Sequence, residues 1–252
     1  MPYSKLQIEP GNIHTLGSSS DADGVNFALF SSHAEKVELC LFSDDGSSEL
    51  QRLVLPDCTS HVWNGHVKGL QPGAVYGYRV YGPYQPELGH RFNHHKLLLD
   101  PYARRLAGEF VWCNLHYAYQ MGSDDEDLSF DMRDNAPFML KSVVMPRSLQ
   151  PGPRQNRVRK RDTVIYEAHV RGLTMQHPAL AAAERGTFRG VGHRALVSYL
   201  RDLGVTSLQL MPVQGFLHDQ FLVEKGLANY WGYNTRTFFA PHQAYLQGAD
   251  PA

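Results

Sequence analysis

Residues 163–170 read Thr-Val-Ile-Tyr-Glu-Ala-His-Val, and residues 205–211 read Val-Thr-Ser-Leu-Gln-Leu-Met. Both runs are short and largely apolar, and β-branched side chains are frequent in them, which favours strands. Between them, residues 193–203 carry apolar side chains at the spacing of one helical face, and Gly204 follows as a stop signal. This order predicts a β-α-β unit, whose two strands lie parallel in one sheet.

The first hundred residues show another pattern, in which apolar and polar side chains alternate along short runs. A period of two gives each run one core face and therefore predicts strands. Turn-forming residues such as Asp44-Asp-Gly46 separate the runs. The predicted strands cover residues 24–30, 36–42, 50–55, 61–67 and 74–81. Several short strands at this spacing predict an all-β sandwich of the immunoglobulin-like type.

Composition narrows the classes of function. The 252 residues have a net charge of −1, so no excess charge attracts nucleic acid or an anionic membrane, and we expect neither as a partner. The start of the chain has no signal-peptide core, and no apolar run approaches the ~20 residues of a membrane helix, which favours a cytoplasmic protein. The chain has three cysteines and no CxxC pair, which predicts free thiols rather than a disulfide framework or a structural zinc site.

Three histidines lie close together, at His90, His94 and His95. Imidazoles at short spacing can bind a transition metal. No cysteine and no helical His-x-x-x-His pattern accompanies them, so we favour a polar loop and expect neither a metal nor a cofactor.

Five aromatic residues of the predicted sandwich could stack on a sugar, because a flat aromatic face covers the apolar face of a pyranose ring. They are Trp63, Tyr76, Tyr78, Tyr81 and Tyr84. Tyr76 and Tyr78 share one strand face with Val80, which favours the core instead. Burial is the default for large aromatic side chains, and the sequence alone leaves both interpretations open.

The composition changes between the two halves of the chain. Residues 123–127 are acidic, and a basic run at residues 154–161 follows a Pro-Gly-Pro segment. A basic run after proline and glycine is most simply a solvated linker. We therefore predict three parts: a β-sandwich at residues 1–135, a linker at residues 136–161, and a β/α region at residues 162–252.

Several motifs in both halves resemble one enzyme family. In the second half, the motifs at residues 164–174, 199–204, 208–213 and 229–234 are similar to the start of the α-amylase-clan barrel. In the first half, those at residues 26–31, 76–80, 89–93 and 96–101 are similar to the carbohydrate-binding sandwich that precedes this barrel. More narrowly, the set resembles bacterial glycogen debranching enzymes of the isoamylase type. The resemblance implies that the second half is an incomplete (β/α)₈ TIM barrel, which takes about 250 residues when whole.

The resemblance also implies a retaining glycosidase that hydrolyses α-1,6 branches of glycogen or limit dextrin with paired carboxylates. The family places its catalytic acids after barrel strands 4, 5 and 7, whereas we expect this chain to reach only strand 3. No acid in the second half matches such a position, so we expect no catalytic residue among Asp162, Glu167, Glu184, Asp202, Asp219, Glu224 and Asp250. The alternative is a non-catalytic glucan-binding protein; a branching or trehalose-releasing enzyme fits less well.

Substrate contact can be carried over to two residues. Tyr233 matches the family tyrosine that stacks under the sugar at the cleavage subsite, and Trp231 is a weaker neighbouring candidate. Both could instead simply pack the loop after the second strand. Glu167 and His169 lie in the first predicted strand, where side chains fill a barrel or orient their neighbours rather than react. His94 stands where the family is expected to have proline.

Overall fold

The computed structural model describes residues 5–146 and 158–246, which belong to two compact units. We call residues 5–146 the sandwich and residues 158–246 the β/α unit. Residues 147–157 of the predicted linker, which include the first half of its basic run, and Asp250 lie outside the described residues.

The sandwich contains twelve described strands, most of them in two antiparallel sheets. The strands are β1 Ile8–Glu9, β2 Gly17–Ser20, β3 Gly24–Phe30, β4 Lys36–Phe42, β5 Glu49–Val54, β6 Asp57–Thr59, β7 Val62–Lys68, β8 Val75–Tyr81, β9 Tyr84–Gln85, β10 His90–Arg91, β11 Leu106–Ala107 and β12 Lys141–Val143. The first sheet has the order β1-β7-β3-β2, with β6 beside β7, and the second has the order β11-β12-β8-β4-β5. Strands β9 and β10 pair separately. Short 3-10 turns lie at Pro86–Leu88, Asn114–His116, Glu126–Leu128 and Ala136–Phe138.

The five predicted strands are confirmed. β3 and β4 have the predicted bounds, β5 and β7 are shifted by one residue at both ends, and β8 begins one residue later than predicted. The alternation of apolar and polar residues predicts these strands because the inner faces of both sheets meet in one apolar core. β3 contributes Phe27 to this core, β4 contributes Leu39, and β8 contributes Tyr76 and Tyr78. The β-sandwich is therefore the architecture of this unit.

A second apolar cluster covers the other face of the sheet that holds β4 and β8. Cys40, Phe42 and Val75 point into it and meet Leu97 and Met139 from outside the sheet. Both faces of β4 are consequently buried, which explains why six of its seven residues are buried. Burial also explains the raised pKa of the Cys40 thiol, about 12.

One strand of the sandwich lies in the stretch predicted to be linker. Strand β12 pairs with β8, with Ser142 opposite Tyr76 and Val143 opposite Val75. Its three residues are buried. The packing of residues 136–146 thus belongs to the sandwich, because β8 supplies hydrogen-bond partners that a local sequence pattern does not reveal.

The three cysteines are free thiols, and a histidine of the predicted polar loop packs on a tyrosine. Cys40 is buried, Cys58 is exposed, Cys113 is half-buried, and none of the three forms a disulfide. The His94 ring stacks on Tyr81 with 4.2 Å between centroids. Over residues 5–146 and 158–246, no three His, Cys, Asp or Glu side chains come together as a metal site.

The β/α unit has the predicted β-α-β order. Its elements are β13 Ile165–Ala168, α1 Val170–Thr174, α2 Phe188–Val191, α3 Arg194–Asp202, β14 Ser207–Leu210 and α4 Gln220–Val223, with 3-10 turns at Lys160–Asp162 and Gln243–Tyr245. Strands β13 and β14 pair in parallel, from Ile165 opposite Ser207 to Ala168 opposite Leu210. Helix α3 packs through its buried Leu196 and Leu200, and the parallel unit is confirmed.

One apolar cluster of the β/α unit contains Val170, Phe216 and Tyr245, with Phe188 and Leu210 packed against them. On the strands themselves, Ile165 is 60% exposed and only Ala168 of β13 is buried. No helix within the described ranges has the length and apolar character needed to cross a membrane.

Candidate functional site

The candidate site is the segment at residues 229–234, Asn-Tyr-Trp-Gly-Tyr-Asn, which we call the aromatic loop. Its three aromatic side chains are exposed: Tyr230, Trp231 (54% exposed) and Tyr233 (69% exposed). Exposed aromatic side chains that lie this close together form a surface that can cover an apolar ligand face.

The carboxylate of Asp219 connects both ends of the aromatic loop. Its Oδ2 accepts a hydrogen bond from Asn229 Nδ2 at 3.2 Å, and its Oδ1 accepts one from Asn234 Nδ2 at 3.0 Å. Inside the loop, Asn229 Oδ1 accepts from the Gly232 amide at 2.9 Å. These three bonds define the spacing between the first, middle and last residues of the loop.

Glycine is required at the centre of the aromatic loop. Gly232 has a φ of +81°, in the left-handed region, and a Cβ there would lie 2.8 Å from the Phe216 ring. Any other residue would strain the backbone and displace Phe216 from the core. The position of Trp231 and Tyr233 on either side of Gly232 therefore depends on this close approach.

The segment before α4 supports the aromatic loop through its backbone and a histidine. The Leu217 amide donates to the Asn234 carbonyl at 3.0 Å, and the Asn229 amide donates to His218 Nδ1 at 3.1 Å. Phe216 forms an isolated β-bridge with Thr235. This segment thus holds both ends of the loop.

His169 holds the loop from the end of β13. The sequence places it within the first strand, but the structure places it just after β13, as the N-cap of α1, where its Nδ1 accepts from the Gly172 amide at 3.2 Å. Nε2 therefore carries the proton. It donates to the Tyr230 carbonyl at 2.7 Å and lies 3.0 Å from Tyr245 Oη. The buried His169 ring also stacks on Tyr230, with 4.2 Å between centroids.

A second buried histidine, His242, lies behind the loop. Its ring stacks on Phe216 with 3.6 Å between centroids. Burial, together with the nearby His218, lowers the pKa of His242 to about 4. His242 is consequently neutral near pH 7 and acts as a flat packing group.

The five aromatic candidates of the sandwich differ in their surroundings. Tyr76 and Tyr78 are fully buried core residues. Tyr81 is occupied by the His94 ring and by Lys36, whose Nζ lies 3.5 Å from the ring centroid. Trp63 is half-buried and donates through Nε1 to the Ser31 carbonyl at 3.2 Å.

Tyr84 is the fifth of these aromatics. Its hydroxyl donates to the carbonyls of Asp127 and Ser129, at 2.9 and 2.6 Å. Core packing and internal hydrogen bonds therefore account for most of the five, and the exposed aromatic loop lies in the β/α unit.

The carboxylates around the site have structural partners. Glu167 is exposed, and its Oε1 accepts from Gln209 Nε2 at 3.4 Å. Asp219 uses both oxygens on the aromatic loop, and Asp162 pairs with Arg159 at 2.6 Å. None of these contacts places two carboxylates on either side of a common space, as glycoside hydrolysis requires.

The sequence identifies the aromatic loop but not its supports. Asp219 and His169 are 10 and 61 residues from their loop partners. The only sequence signal for such a clamp is the pair of asparagines that flank the aromatic residues.

Comparison with known proteins shows which families and folds the chain is similar to. Residues 15–103 match carbohydrate-binding module 48, described as the isoamylase N-terminal domain. The chain is 44% identical over 239 residues to the "Glycogen operon protein GlgX homolog" of Mycobacterium tuberculosis, which covers 94% of this chain and 33% of that protein. It is 45% identical over 247 residues to the "Glycogen debranching enzyme" of Salmonella paratyphi B. This alignment covers 98% of this chain and 36% of that protein. The chain thus spans about a third of the length of these curated relatives.

Solved structures share the fold. The catalytic module of SpuA, a glycogen-degrading pneumococcal virulence factor, matches with a TM-score of 0.64 at 24% identity, over 93% of this chain and 33% of that one. The pullulanase of Paenibacillus barengoltzii, in complex with maltohexaose and α-cyclodextrin, matches with a TM-score of 0.64 at 23% identity. The match covers 94% of this chain and 33% of the pullulanase chain. Over the third of their length that it spans, the chain is similar to bacterial glycogen debranching enzymes, and its residues 15–103 match carbohydrate-binding module 48, the isoamylase N-terminal domain.

Proposed function

We propose that this chain is part of a glycosidase that hydrolyses α-1,6 branches of glycogen or limit dextrin by a retaining mechanism. Two relatives with 44–45% identity carry glycogen names, and one of them is called a glycogen debranching enzyme. The observation that carries the proposal is the aromatic loop, in which exposed Trp231 and Tyr233 are held by hydrogen bonds to buried or half-buried side chains. Branched α-glucan is the proposed partner, and the cytoplasm is its proposed location.

We propose that β13 and β14 are the first two strands of a (β/α)₈ TIM barrel. Their parallel pairing and the helices between them support this arrangement. Parallel sheets are normally covered on both faces, whereas Ile165 and Tyr166 of β13 are exposed. His169 follows the carboxyl end of β13 and the aromatic loop lies beyond that of β14, which is the end where barrel enzymes form their active sites.

The role of this chain within that activity is substrate contact. Tyr233 covers the apolar face of a glucose ring, and Trp231 provides a second flat surface nearby. A retaining glycosidase needs two carboxyl groups about 5–5.5 Å apart across the scissile bond. The contacts of Asp162, Glu167 and Asp219 bring no two carboxylates together across a common space, and we propose that the chain contributes no catalytic carboxylate.

Glucan binding without hydrolysis is the second candidate function. It is favoured by one observation, that the aromatic loop is formed within residues 158–246 themselves. Such a site can bind a sugar whether or not catalytic acids are present.

The first test is glycogen affinity electrophoresis of the 252-residue chain and its Tyr233→Ala and Trp231→Ala variants. Tyr199→Ala is the matched control, because Tyr199 is another exposed tyrosine of the same unit, on α3. We expect Tyr233→Ala to weaken binding by about tenfold, Trp231→Ala to weaken it less, and Tyr199→Ala to leave it unchanged. Equal retardation of the wild type and Tyr233→Ala would remove the basis of the proposed site.

Reducing-end release from a branched limit dextrin separates the two functions. We expect the chain to bind the dextrin and release no reducing ends. Release that persists after removal of contaminating hydrolases would show that carboxylates of this chain are catalytic.

A further inference from the structure

We propose that Asp219 is a positioning residue, which holds the aromatic loop in the shape that accepts a glucose ring. This inference rests on the proposed function of Trp231 and Tyr233 in sugar contact. Asp219 itself would touch no sugar. It acts through Asn229 and Asn234, the two residues that flank the aromatic side chains.

The direction of the Asp219 side chain is the first argument. Asp219 occupies the N-cap of α4, where an aspartate carboxylate ordinarily accepts from the first amides of the helix. Here the side chain makes no such bond. Both of its oxygens are turned to the aromatic loop instead, so the residue gives up its usual local role for a contact 10 and 15 residues away.

The chemistry of a carboxylate is the second argument. An ionised carboxylate only accepts hydrogen bonds, and it can accept at both oxygens. Two asparagine amides, each of which must present its NH₂ group, therefore converge on one group from the two ends of the loop. With its NH₂ fixed in this way, Asn229 is oriented so that its carbonyl oxygen faces the Gly232 amide, at 2.9 Å.

The position of Gly232 is the third argument. It lies between Trp231 and Tyr233, and its left-handed φ is reached against the Phe216 ring. The bond from Asn229 fixes the peptide on which the two exposed aromatic residues depend. A ligand surface that is already ordered loses less conformational entropy on binding, so release of this clamp should appear as lower sugar affinity.

The test uses one isosteric change and its compensating partner. Asp219→Asn keeps the shape, but it puts an NH₂ group opposite one of the two asparagine NH₂ groups and breaks that bond. Combining it with Asn234→Asp reverses that donor and acceptor. The new carboxylate at position 234 then accepts from the new side-chain amide at position 219, while the side-chain carbonyl oxygen at position 219 still accepts from Asn229. Asn229 keeps its bonds to the Leu217 carbonyl and from the Gly232 amide. Asp202→Asn, at the end of α3, is the matched control for charge removal.

The measurement is the Kd of the full 252-residue chain for maltotetraose by isothermal titration calorimetry. We expect Asp219→Asn to bind about fivefold to tenfold more weakly, which corresponds to the typical net value of one broken hydrogen bond. The double variant should return to within about twofold of the wild type, and Asp202→Asn should not change the Kd. Hydrogen exchange without sugar provides the second readout: residues 229–234 should exchange faster in Asp219→Asn, while β13 and β14 exchange as in the wild type.

The outcomes separate this inference from the proposed function. If Tyr233→Ala loses affinity but Asp219→Asn binds like the wild type, Asp219 has no positioning role and the sugar site stands. If Asp219→Asn speeds exchange throughout β13 and β14, or if the double variant binds no better than the single one, the role of Asp219 is structural and the inference is overturned. If the wild type does not bind maltotetraose, both proposals fail.

Discussion

The strands of the two units differ in how far they are covered. In the sandwich, six of the seven residues of β4 are buried, because apolar clusters lie on both faces of its sheet. In the β/α unit, β13 has one buried residue, Ala168, and β14 has none. The unit that contains the candidate site therefore covers its strands much less than the sandwich does.

The aromatic loop is held in place by hydrogen bonds from two polar side chains. His169 and Asp219 reach the aromatic loop from two separate segments, and the apolar cluster beneath the loop is small. The sandwich instead depends on a large apolar core, where the hydrophobic effect dominates. Changes to apolar side chains should therefore affect mainly the sandwich, and changes to polar side chains mainly the site.

The largest expected effect comes from truncating one apolar side chain in each region. Leu39 is fully buried in β4, whereas Ile165 is 60% exposed in β13. We expect Leu39→Ala to lower the free energy of unfolding of the sandwich by about 2–5 kcal/mol. Ile165→Ala should lower that of the β/α unit by about 1 kcal/mol or less.

Urea unfolding followed by amide NMR signals of each unit measures both values. If Ile165→Ala lowers the free energy of unfolding as much as Leu39→Ala does, the two units do not differ in how far their strands are covered. That result would mean that β13 is covered in solution.

Acid should weaken the two regions in different pH ranges. His242 has a pKa of about 4 when folded, against an ordinary 6.5. As the pH falls below 6.5, the unfolded chain binds a proton there that the folded chain does not. The β/α unit should therefore lose stability between pH 6.5 and 4, by about 3 kcal/mol.

The corresponding group in the sandwich is Asp131, whose carboxylate is buried and paired with Arg133 at 2.7 Å. This pairing lowers the pKa of Asp131 to about 2, against an ordinary 3.8. Its contribution is complete above pH 3.8 and is lost as the pH falls towards 2, by about 2 kcal/mol.

The urea titration, repeated from pH 7 to pH 3, should show the β/α unit weakening first. In His242→Phe, which keeps a flat ring against Phe216, the loss between pH 6.5 and 4 should disappear. An unchanged pH profile in that variant would show that His242 is not the group responsible.

The smallest expected effect is a gain in the sandwich. Ser60 and His61 form the two-residue turn between β6 and β7, with φ of +51° and +65°. Asn-Gly is the preferred pair for such a turn. Ser60→Asn combined with His61→Gly should therefore raise the sandwich's free energy of unfolding by about 1 kcal/mol and leave the β/α unit unchanged. A loss of stability would mean that the His61 ring, which meets Phe30 edge-on, contributes more than the strained backbone costs.

The sequence predicts the sandwich strands that alternate and misses those that do not. β3 and β4 each supply apolar side chains to the core at a period of two, and their bounds could be predicted. β2 reads Gly-Ser-Ser-Ser and is a strand because it pairs with β3. β12 similarly depends on β8, which lies more than sixty residues earlier. Pairing over such distances leaves no local signal.

At the candidate site, the sequence predicts the aromatic residues but not the hydrogen bonds that hold them. The exposed aromatic loop could be identified from its motif, and exposure of Trp231 and Tyr233 is consistent with a binding surface. Their role in sugar contact stays a prediction. The His169–Tyr230 and Asp219–Asn229 bonds come from chain folding in three dimensions, so sequence alone could only suggest that His169 orients its neighbours.

Hydrogen exchange of the 252-residue chain, with and without maltotetraose, locates the bound sugar without any mutation. If the aromatic loop is the sugar site, we expect maltotetraose to slow exchange at residues 229–234 and to leave β3, β4 and β8 unchanged. Slowing confined to the sandwich, with no change at residues 229–234, would contradict this assignment.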